Sequence, residues 1–244
     1  MAARLLIVED DDGIRTSLRL ALLDEGYDVI ACASAEEAIK VLATSTVEVM
    51  LVDLMLGGMD GFTFIRTVRT RHDAPVIVLS ARNDTHDIVA ALEAGADDYV
   101  TKPFELKEVT ARLRALRRRG AHAGAPAADV DTSARRPPGA GSVVLDATNG
   151  PLLLDEDAGR VCRGTQEVHL TVTEYRLLCE LASPPGRVLS RQALLSSVWD
   201  RGFFGDERIV DVHVRRLRTK IEADAANPRL VVTVRGLGYR LDPR

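Results

Sequence analysis

The sequence predicts an α/β domain with a doubly wound, five-stranded parallel sheet of the flavodoxin type, followed by an α+β domain. In residues 1–119, short apolar runs alternate with segments whose apolar residues recur every three or four positions, which is typical of βαβ units. Residues 142–244 begin with short strand-like runs and continue with helical segments. Residues 120–141 are largely Ala, Gly, Pro, Asp and Arg without apolar periodicity, which predicts a flexible linker.

The elements of the first domain follow from this alternation. Its strands are continuous apolar runs, as expected for a parallel sheet buried on both faces. The predicted strands are Leu5–Val8, Val29–Ala31, Val49–Val52, Val76–Leu79 and Tyr99–Val100. The predicted helices are Ile14–Glu25, Ala35–Leu42, Phe62–Arg69, Asp87–Ala94 and Leu106–Arg117.

The second domain begins with an antiparallel meander and ends with a hairpin. The predicted meander strands are Val143–Leu145, Pro151–Asp155, Val161–Cys162 and Val168–Leu170. The predicted helices are Thr173–Leu181 and Ser190–Trp199, each beginning near a Thr or Ser that serves as N-cap, and Ile209–Glu222. Residues Leu230–Val234 and Tyr239–Leu241 flank a glycine-containing turn and form the predicted hairpin.

Composition and charge exclude several classes of protein. Cys32, Cys162 and Cys179 lack the spacing of a metal site or a disulfide framework, and no apolar run approaches the roughly 18–20 residues of a membrane span. The net charge of −4 is divided unevenly, because residues 1–119 carry 15 basic and 20 acidic residues, whereas residues 187–244 carry 12 and 7. We expect a soluble cytoplasmic protein with an acidic first domain and a basic C-terminal end.

Polar side chains follow four of the predicted strands at their carboxyl ends, where open parallel sheets bind ligands. Glu9 and Asp10 follow the first strand, and Asp53 ends the third. Ser80 and Lys102 follow the fourth and fifth strands. Carboxylates favour a hard divalent cation such as Mg²⁺, which commonly also binds phosphate oxygens. A single Asp at a strand end is usually a cap or a solvated residue, but the whole set predicts a metal and phosphate site.

Residues 4–119 resemble the receiver domain of bacterial two-component response regulators. The resemblance is carried by the motifs Glu9-Asp10, Val52-Asp53-Leu54, Met59-Asp60-Gly61, Leu79-Ser80-Ala81, Gly95-Ala96-Asp97-Asp98-Tyr99 and Thr101-Lys102-Pro103-Phe104. It implies that Asp53 accepts a phosphoryl group from a phosphohistidine of a sensor histidine kinase. Glu9, Asp10, Asp53 and the backbone carbonyl of Met55 would hold Mg²⁺.

The same resemblance implies a switch around the phosphoryl group. Lys102 would contact the phosphoryl oxygens, and a cis peptide would precede Pro103. The Ser80 hydroxyl would donate to the phosphoryl group, and Tyr99 would then rotate inward. The surface formed by residues 85–119 would change with it and pair two receivers.

This surface, which we call the dimer face, carries charged residues that fit the pairing pattern of the family. The charged residues are Glu93, Asp97, Asp98, Glu108, Arg112, Arg114 and Arg119. Two positions depart from the family. Ile88 stands where a basic partner for Glu108 is expected, although exposed ion pairs contribute only about 0–1 kcal/mol each. Gly57 stands where proline is usual, which predicts a looser loop beside Asp53.

Residues 143–241 resemble the winged helix-turn-helix output domain of the OmpR/PhoB family. The resemblance is carried by the segments 170–175, 190–195, 198–199, 210–213 and 233–240. It implies that the helix at 208–222 enters the major groove and that the hairpin forms a wing in the minor groove. Five arginines and lysines of this helix project away from its apolar stripe, and guanidinium groups match phosphates and guanine edges.

The predicted DNA contacts fall on the helix and on the wing. Arg216 and Arg218 are predicted to contact bases or nearby phosphates, while Arg208, His213 and Arg215 are predicted to face the backbone. On the wing, Arg235 is predicted to enter the minor groove, and Thr233 and Tyr239 to bond phosphates. The loop at 200–207 is where relatives contact RNA polymerase, and its adjacent Phe203 and Phe204 fit a partner-binding spot as well as core packing.

The predicted protein is a phosphorylation-dependent transcription regulator with Mg²⁺ as cofactor and with double-stranded DNA as its target. Phosphorylated receivers would pair, and two winged helices would bind tandem half-sites. We expect no enzymatic activity beyond its own phosphoryl transfer and dephosphorylation. One alternative is a haloacid-dehalogenase-like phosphatase. That chemistry needs a second Asp two residues after the nucleophile, and Met55 at that position argues against it. Phosphate-independent DNA binding, with the receiver as a dimerisation module, is the other alternative.

Overall fold

The computed structural model describes residues 2–82, 84–123, 142–148, 150–183, 185–199 and 207–244; for 115 and 117–123 it describes the backbone. The chain divides into two units after Arg114. Among the described residues, no helix is both long and apolar enough to cross a membrane.

The first unit contains the predicted five-stranded parallel sheet, in the order β2-β1-β3-β4-β5. Its strands are β1 (Arg4–Val8), β2 (Asp28–Cys32), β3 (Val49–Asp53), β4 (Val76–Ser80) and β5 (Asp98–Thr101). Its helices are α1 (Asp12–Asp24), α2 (Ala35–Leu42), α3 (Gly61–Arg69), α4 (Thr85–Ala94) and the first part of α5 (Leu106–Ala123), as far as Arg114. The predicted fold class is therefore confirmed for this part of the chain.

Burial of the central strands explains their position in the sheet. Leu5, Ile7 and the rest of the apolar run of β1 are fully buried, and every residue of β3 is buried. At the end of β3 the chain turns sharply into α3, and Gly61 makes this possible, because a Cβ atom there would lie 2.3 Å from the Asp53 carbonyl oxygen. This turn fixes Asp53 at the carboxyl edge of the sheet.

The helix α5 is longer than predicted. It runs to Ala123, so that the first four residues of the predicted linker at 120–141 are helical. The remaining positions of that linker lie outside the described residues.

The second unit contains a four-stranded antiparallel sheet, three helices and a closing hairpin. The sheet strands are β6 (Ser142–Asp146), β7 (Leu152–Asp155), β8 (Arg160–Arg163) and β9 (Gln166–Glu167). The helices are α6 (Val172–Ala182), α7 (Arg191–Val198) and α8 (Arg208–Ile221), and the hairpin joins β10 (Val231–Val234) to β11 (Gly238–Leu241).

Two local predictions for this unit are wrong. The fourth strand is Gln166–Glu167 rather than Val168–Leu170, because the turn at Gly164 brings the chain back beside β8 at once. The N-cap of α6 is Thr171 rather than Thr173, because Thr171 and Glu174 form a reciprocal capping box. The predicted N-cap Ser190 of α7 is confirmed, since its hydroxyl accepts from the Ala193 N–H.

Candidate functional site

The polar residues predicted at the strand ends of the first unit do converge. Glu9 follows β1, Asp53 ends β3, and Ser80 ends β4, and all three are buried. The Lys102 ammonium lies between the two carboxylates: Nζ is 2.5 Å from Asp53 Oδ2 and 2.8 Å from Glu9 Oε2. The peptide between Lys102 and Pro103 is cis, as predicted.

The electrostatics of this pocket depend on Lys102. Burial raises the pKa of Glu9, although Lys102 opposes that effect. Burial alone would lower the pKa of Lys102, but its hydrogen bonds to Asp53 and Glu9 raise that pKa instead. The ammonium therefore stays charged and compensates the two buried carboxylates.

The carboxylates also fit a divalent metal ion. One oxygen atom from each of Glu9, Asp10 and Asp53 can be chosen so that the three lie within 4.8 Å of one another. Asp10 is exposed, which leaves a side of the group open to water. A set of hard carboxylate oxygens with an open side suits Mg²⁺, which retains several water ligands in proteins. The ligand role of the Met55 carbonyl stays a prediction.

The loop beside Asp53, residues 55–59, is tied to carboxylates in spite of its two glycines. The Met55 N–H donates to Asp53 Oδ1 over 2.9 Å, and the Gly57 N–H donates to Asp10 Oδ2 over 3.3 Å. The Met59 N–H donates to Glu36 Oε1 over 2.9 Å. Sequence reasoning missed Glu36, because its partner lies 23 positions away on another element.

Ser80, Arg82 and Tyr99 form a second cluster next to the pocket. Tyr99 is 8% exposed, and its hydroxyl donates to the Arg82 carbonyl. The Arg82 N–H donates to the buried Ser80 hydroxyl over 3.4 Å, and its Nε donates to Met55 Sδ over 3.1 Å. Burial raises the pKa of Tyr99. The inward orientation of Tyr99, which the sequence predicts for the phosphorylated protein, is the one in this structure.

Two of the predicted dimer-face residues, Asp97 and Asp98, are buried in the chain, and their role in pairing receivers stays a prediction. Asp97 is fully buried, where it accepts from the Val76 N–H and pairs over 2.5 Å with Arg69. Asp98 is buried beneath Arg112, which donates to both of its oxygens over 3.0 Å. Within the chain, these aspartates therefore hold Arg69 and Arg112 in place.

The remaining dimer-face residues differ in how far their side chains are exposed. Glu93 is exposed, and Glu108 is partly exposed but pairs over 2.6 Å with Arg112, which is itself mostly buried. Arg114 is exposed and pairs with Glu25 of α1. Ile88 is half-buried. The side chain of Arg119 lies outside the described residues.

In the second unit, α8 buries the predicted apolar stripe. Ile209, Val212, Leu217 and Ile221 are buried. Arg208 and Arg215 are exposed, which is consistent with their predicted contact with the DNA backbone. Thr233 and Arg235 on the hairpin are exposed as well.

Arg216, a predicted DNA contact, makes an ion pair within the second unit. Its side chain is 15% exposed and lies 3.0 Å from the fully buried Glu174 carboxylate. Lys220 lies 2.7 Å from the other oxygen of Glu174. Burial alone would raise the pKa of Glu174, but the two cations hold it below its usual value. Arg216 therefore joins α8 to α6, and its contact with DNA stays a prediction.

Arg218 also makes contacts within the second unit, and its predicted contact with DNA stays a prediction. Its guanidinium donates to the Val231 carbonyl over 2.6 Å and to the Thr233 hydroxyl over 2.8 Å. It also lies over the Tyr239 ring, 5.5 Å from the ring centre. These contacts join α8 to the base of the hairpin.

His213 and Tyr239 are both buried in the second unit, and their predicted phosphate contacts stay predictions. His213 is fully buried and packs on Trp199, with the ring centres 5.0 Å apart. Tyr239 is buried, and its hydroxyl donates to Asp211 Oδ1 over 2.6 Å. Arg191 lies over the Tyr239 ring and donates to the same carboxylate oxygen. Except for Glu207, the predicted polymerase-contacting loop at 200–207 lies outside the described residues.

Comparison with known sequence families agrees with this geometry. Residues 5–114 match the family described as response regulator receiver domain. Residues 165–241 match the family described as transcriptional regulatory protein, C terminal.

Three relatives resemble the chain over nearly its whole length. It is 43% identical over 239 residues to the transcriptional regulatory protein AfsQ1 of Streptomyces coelicolor, covering 98% of each chain. It is 46% identical over 236 residues to the transcriptional regulatory protein CseB of Streptomyces avermitilis, covering 97% of this chain and 96% of that one. It is 37% identical over 243 residues to the DNA-binding response regulator MtrA of Mycolicibacterium smegmatis, covering 100% and 98%.

Two solved structures resemble the fold across the chain. A mutant of RitR is 25% identical, with a TM-score of 0.73 and full coverage of both chains. The response regulator DrrB of Thermotoga maritima, described as an OmpR/PhoB homologue, is 28% identical, with a TM-score of 0.50 and coverage of 99% and 100%.

Proposed function

The chain belongs to the OmpR/PhoB family of response-regulator transcription factors, and we propose that phosphorylation of Asp53 by a sensor histidine kinase controls its binding to DNA. The observation that supports this proposal most is the contact of Lys102 with both Asp53 and Glu9. A lysine held between two buried carboxylates is placed to neutralise charge on an incoming phosphoryl group.

The chemistry is a transfer between two nucleophiles. A carboxylate oxygen of Asp53 attacks the phosphorus of the kinase phosphohistidine, and a P–O bond forms as the P–N bond breaks. The imidazole leaves with the electron pair of the broken bond. Glu9, Asp10 and Asp53 would hold Mg²⁺ together with the Met55 carbonyl, and the ion would supply charge stabilisation. Hydrolysis of the acyl phosphate by water later returns Asp53 to a carboxylate, and no other enzymatic activity is proposed.

Arg82 would transmit the effect of phosphorylation from Ser80 to Tyr99. Its N–H contacts the Ser80 hydroxyl, its carbonyl accepts from Tyr99, and its side chain reaches Met55. A phosphoryl group that draws the Ser80 hydroxyl toward itself therefore pulls on the segment that holds Tyr99. This segment leads into α4, the first part of the dimer face.

DNA would be contacted by the exposed residues of α8 and of the hairpin. Arg208 and Arg215 would bind the sugar–phosphate backbone beside the major groove, and Arg235 would enter the minor groove, with Thr233 near a phosphate. Arg216 and Arg218 would act by holding α8 against α6 and the hairpin. Pairing of phosphorylated receivers would place two winged helices on tandem half-sites, and the loop at 200–207 would contact RNA polymerase.

Genomic footprinting with the wild-type chain and an Asp53→Asn variant tests this proposal. We expect paired half-sites that the wild type protects and that the variant protects weakly or not at all. Equal protection by the two proteins would instead favour the alternative of phosphate-independent DNA binding, in which the receiver serves as a dimerisation module.

A further inference from the structure

The loop at 55–59, which we call the acceptor loop, is held by a regular set of contacts. Every second N–H group along it donates to a carboxylate: Met55 to Asp53, Gly57 to Asp10, and Met59 to Glu36. Three carboxylates on three different segments of the chain thus fix a loop that contains two consecutive glycines.

Two of these three anchors belong to the phosphorylation pocket. Asp53 would carry the phosphoryl group, and both Asp10 and Asp53 would bind the metal ion. A carboxylate that binds a cation and a phosphoryl group is a weaker and differently placed acceptor for a backbone N–H group. The hydrogen bonds from the Met55 and Gly57 N–H groups to Asp53 and Asp10 therefore weaken when the metal ion and the phosphoryl group are bound. That is when the position of the acceptor loop matters for the reaction.

Glu36 lies outside that pocket and can hold the loop throughout. It is in the first turn of α2, which is capped by Ser34 and is anchored on the core by Ala35 and Ala38. The Met59 N–H holds the pKa of Glu36 below its usual value, so the carboxylate is charged near neutral pH. Gly58 allows the approach, because its φ is +86° and a Cβ atom there would lie 2.9 Å from Glu36 Oε1.

We propose that Glu36 is a positioning residue for the phosphorylation reaction: it holds the acceptor loop, and with it the Met55 carbonyl, while Asp10 and Asp53 are engaged. In this role it replaces the stiffness that a proline at position 57 would provide. The inference rests on the proposed function, in which Asp53 is phosphorylated with Mg²⁺ bound beside it.

A Mg²⁺ titration of the full chain tests this inference without any phosphorylation. In Glu36→Ala, we expect the dissociation constant for Mg²⁺, measured by calorimetry, to rise about 10-fold, as is typical when a group that orients a metal ligand is removed. Hydrogen exchange at the amides of residues 55–59 should accelerate in the same variant. Glu37→Ala is the matched control, because Glu37 is on the same turn of α2 but accepts from the Ala33 N–H outside the loop.

The reaction itself supplies a second measurement. With acetyl phosphate as donor, Glu36→Ala should be phosphorylated slowly at limiting Mg²⁺ and at nearly the wild-type rate at saturating Mg²⁺. A variant that is simply misfolded would not recover in this way. Adding Gly57→Ala to Glu36→Ala should restore part of the Mg²⁺ affinity, since alanine restricts the backbone, keeps the N–H that donates to Asp10, and places a Cβ atom that would meet nothing within 4 Å.

The possible outcomes separate the two proposals. If Glu36→Ala matches Glu37→Ala in Mg²⁺ affinity and in exchange, the role of Glu36 is overturned, whether or not the wild type is phosphorylated. If the wild type binds Mg²⁺ but is not phosphorylated, the proposed function fails, while the Mg²⁺ titration still decides the role of Glu36 in holding the loop. Failure of Gly57→Ala to restore any Mg²⁺ affinity would contradict stiffening of the loop as the mechanism.

Discussion

The carboxylate of Glu174 lies 3.0 Å from the guanidinium of Arg216, and no part of the Glu174 side chain is exposed to solvent. The same carboxylate accepts from Lys220 and from the N–H of Thr171. A single buried glutamate thus caps α6 and binds two basic residues of α8. The orientation of α8, and with it the DNA-binding surface, depends on this contact.

Breaking the contact should destabilise the second unit. Glu174→Ala leaves Arg216 without its buried carboxylate, and loss of one partner from a buried ion pair costs about 3 kcal/mol of unfolding free energy. Urea denaturation followed by the fluorescence of Trp199, the single tryptophan of the chain, measures this change. The control is Asp242→Asn, which breaks a partly exposed pair with Arg240 and should cost no more than about 1 kcal/mol. Equal losses in the two variants would contradict the assignment.

The stability of the second unit should also depend on pH through Glu174. Because Arg216 and Lys220 depress its pKa in the folded state, the unfolded state binds more protons as the pH falls below the usual glutamate value near 4.3. The stabilisation is therefore fully present above that value and is lost as the pH falls through the folded pKa. Between about pH 5 and about pH 3, the wild type should lose more unfolding free energy than Glu174→Gln does. Parallel curves for the two proteins would refute this prediction, because all other carboxylates are common to both.

The exposed arginines of α8 should account for part of the salt dependence of DNA binding. Arg208→Ala and Arg215→Ala should each weaken binding and reduce the slope of log affinity against log salt concentration by about 1, since each removes one phosphate contact. Fluorescence anisotropy with a footprinted fragment measures both quantities. Arg160→Ala, on β8, is the control and should leave the slope unchanged. An unchanged slope for both α8 variants would exclude the proposed contacts.

Replacement of His213 distinguishes a core residue from a phosphate contact. His213→Phe keeps an aromatic ring against Trp199, so we expect wild-type DNA affinity and an unchanged salt slope. His213→Ala should instead leave a cavity and cost about 2 kcal/mol of unfolding free energy. If His213→Phe remains folded but binds DNA more weakly and with a smaller salt slope, the result would show that the His213 ring contacts DNA.

The sequence permits prediction of the receiver pocket because strand ends are local signals. Glu9, Asp53 and Lys102 stand at the carboxyl ends of β1, β3 and β5, and the parallel sheet brings such positions to one edge. The roles of Asp97 and Asp98 were not predictable in the same way, because their partners Arg69 and Arg112 lie on other elements. Burial of those aspartates is a property of the packed structure rather than of the local sequence.

The exposure of the arginines of α8 was likewise not predictable from the local sequence. Arg215 and Arg216 are adjacent and chemically identical, yet one is exposed and the other is bound to Glu174. Which of them faces solvent depends on the position of α6, and a helical pattern gives only the approximate face. A signal for Glu174 was nevertheless present, because Thr171 and Glu174 have the spacing of a capping box.

Phosphorylation of Asp53 is the central claim, and the mass of the intact protein tests it most directly. The wild-type chain, Asp53→Asn and Lys102→Ala would each be incubated with acetyl phosphate and Mg²⁺ and then examined by mass spectrometry, with fragmentation to locate the modification. We predict that the wild type gains the mass of one phosphoryl group on Asp53, that Asp53→Asn gains none, and that Lys102→Ala gains it more slowly. A wild-type chain that gains no phosphoryl group, or gains one equally in Asp53→Asn, would contradict the account.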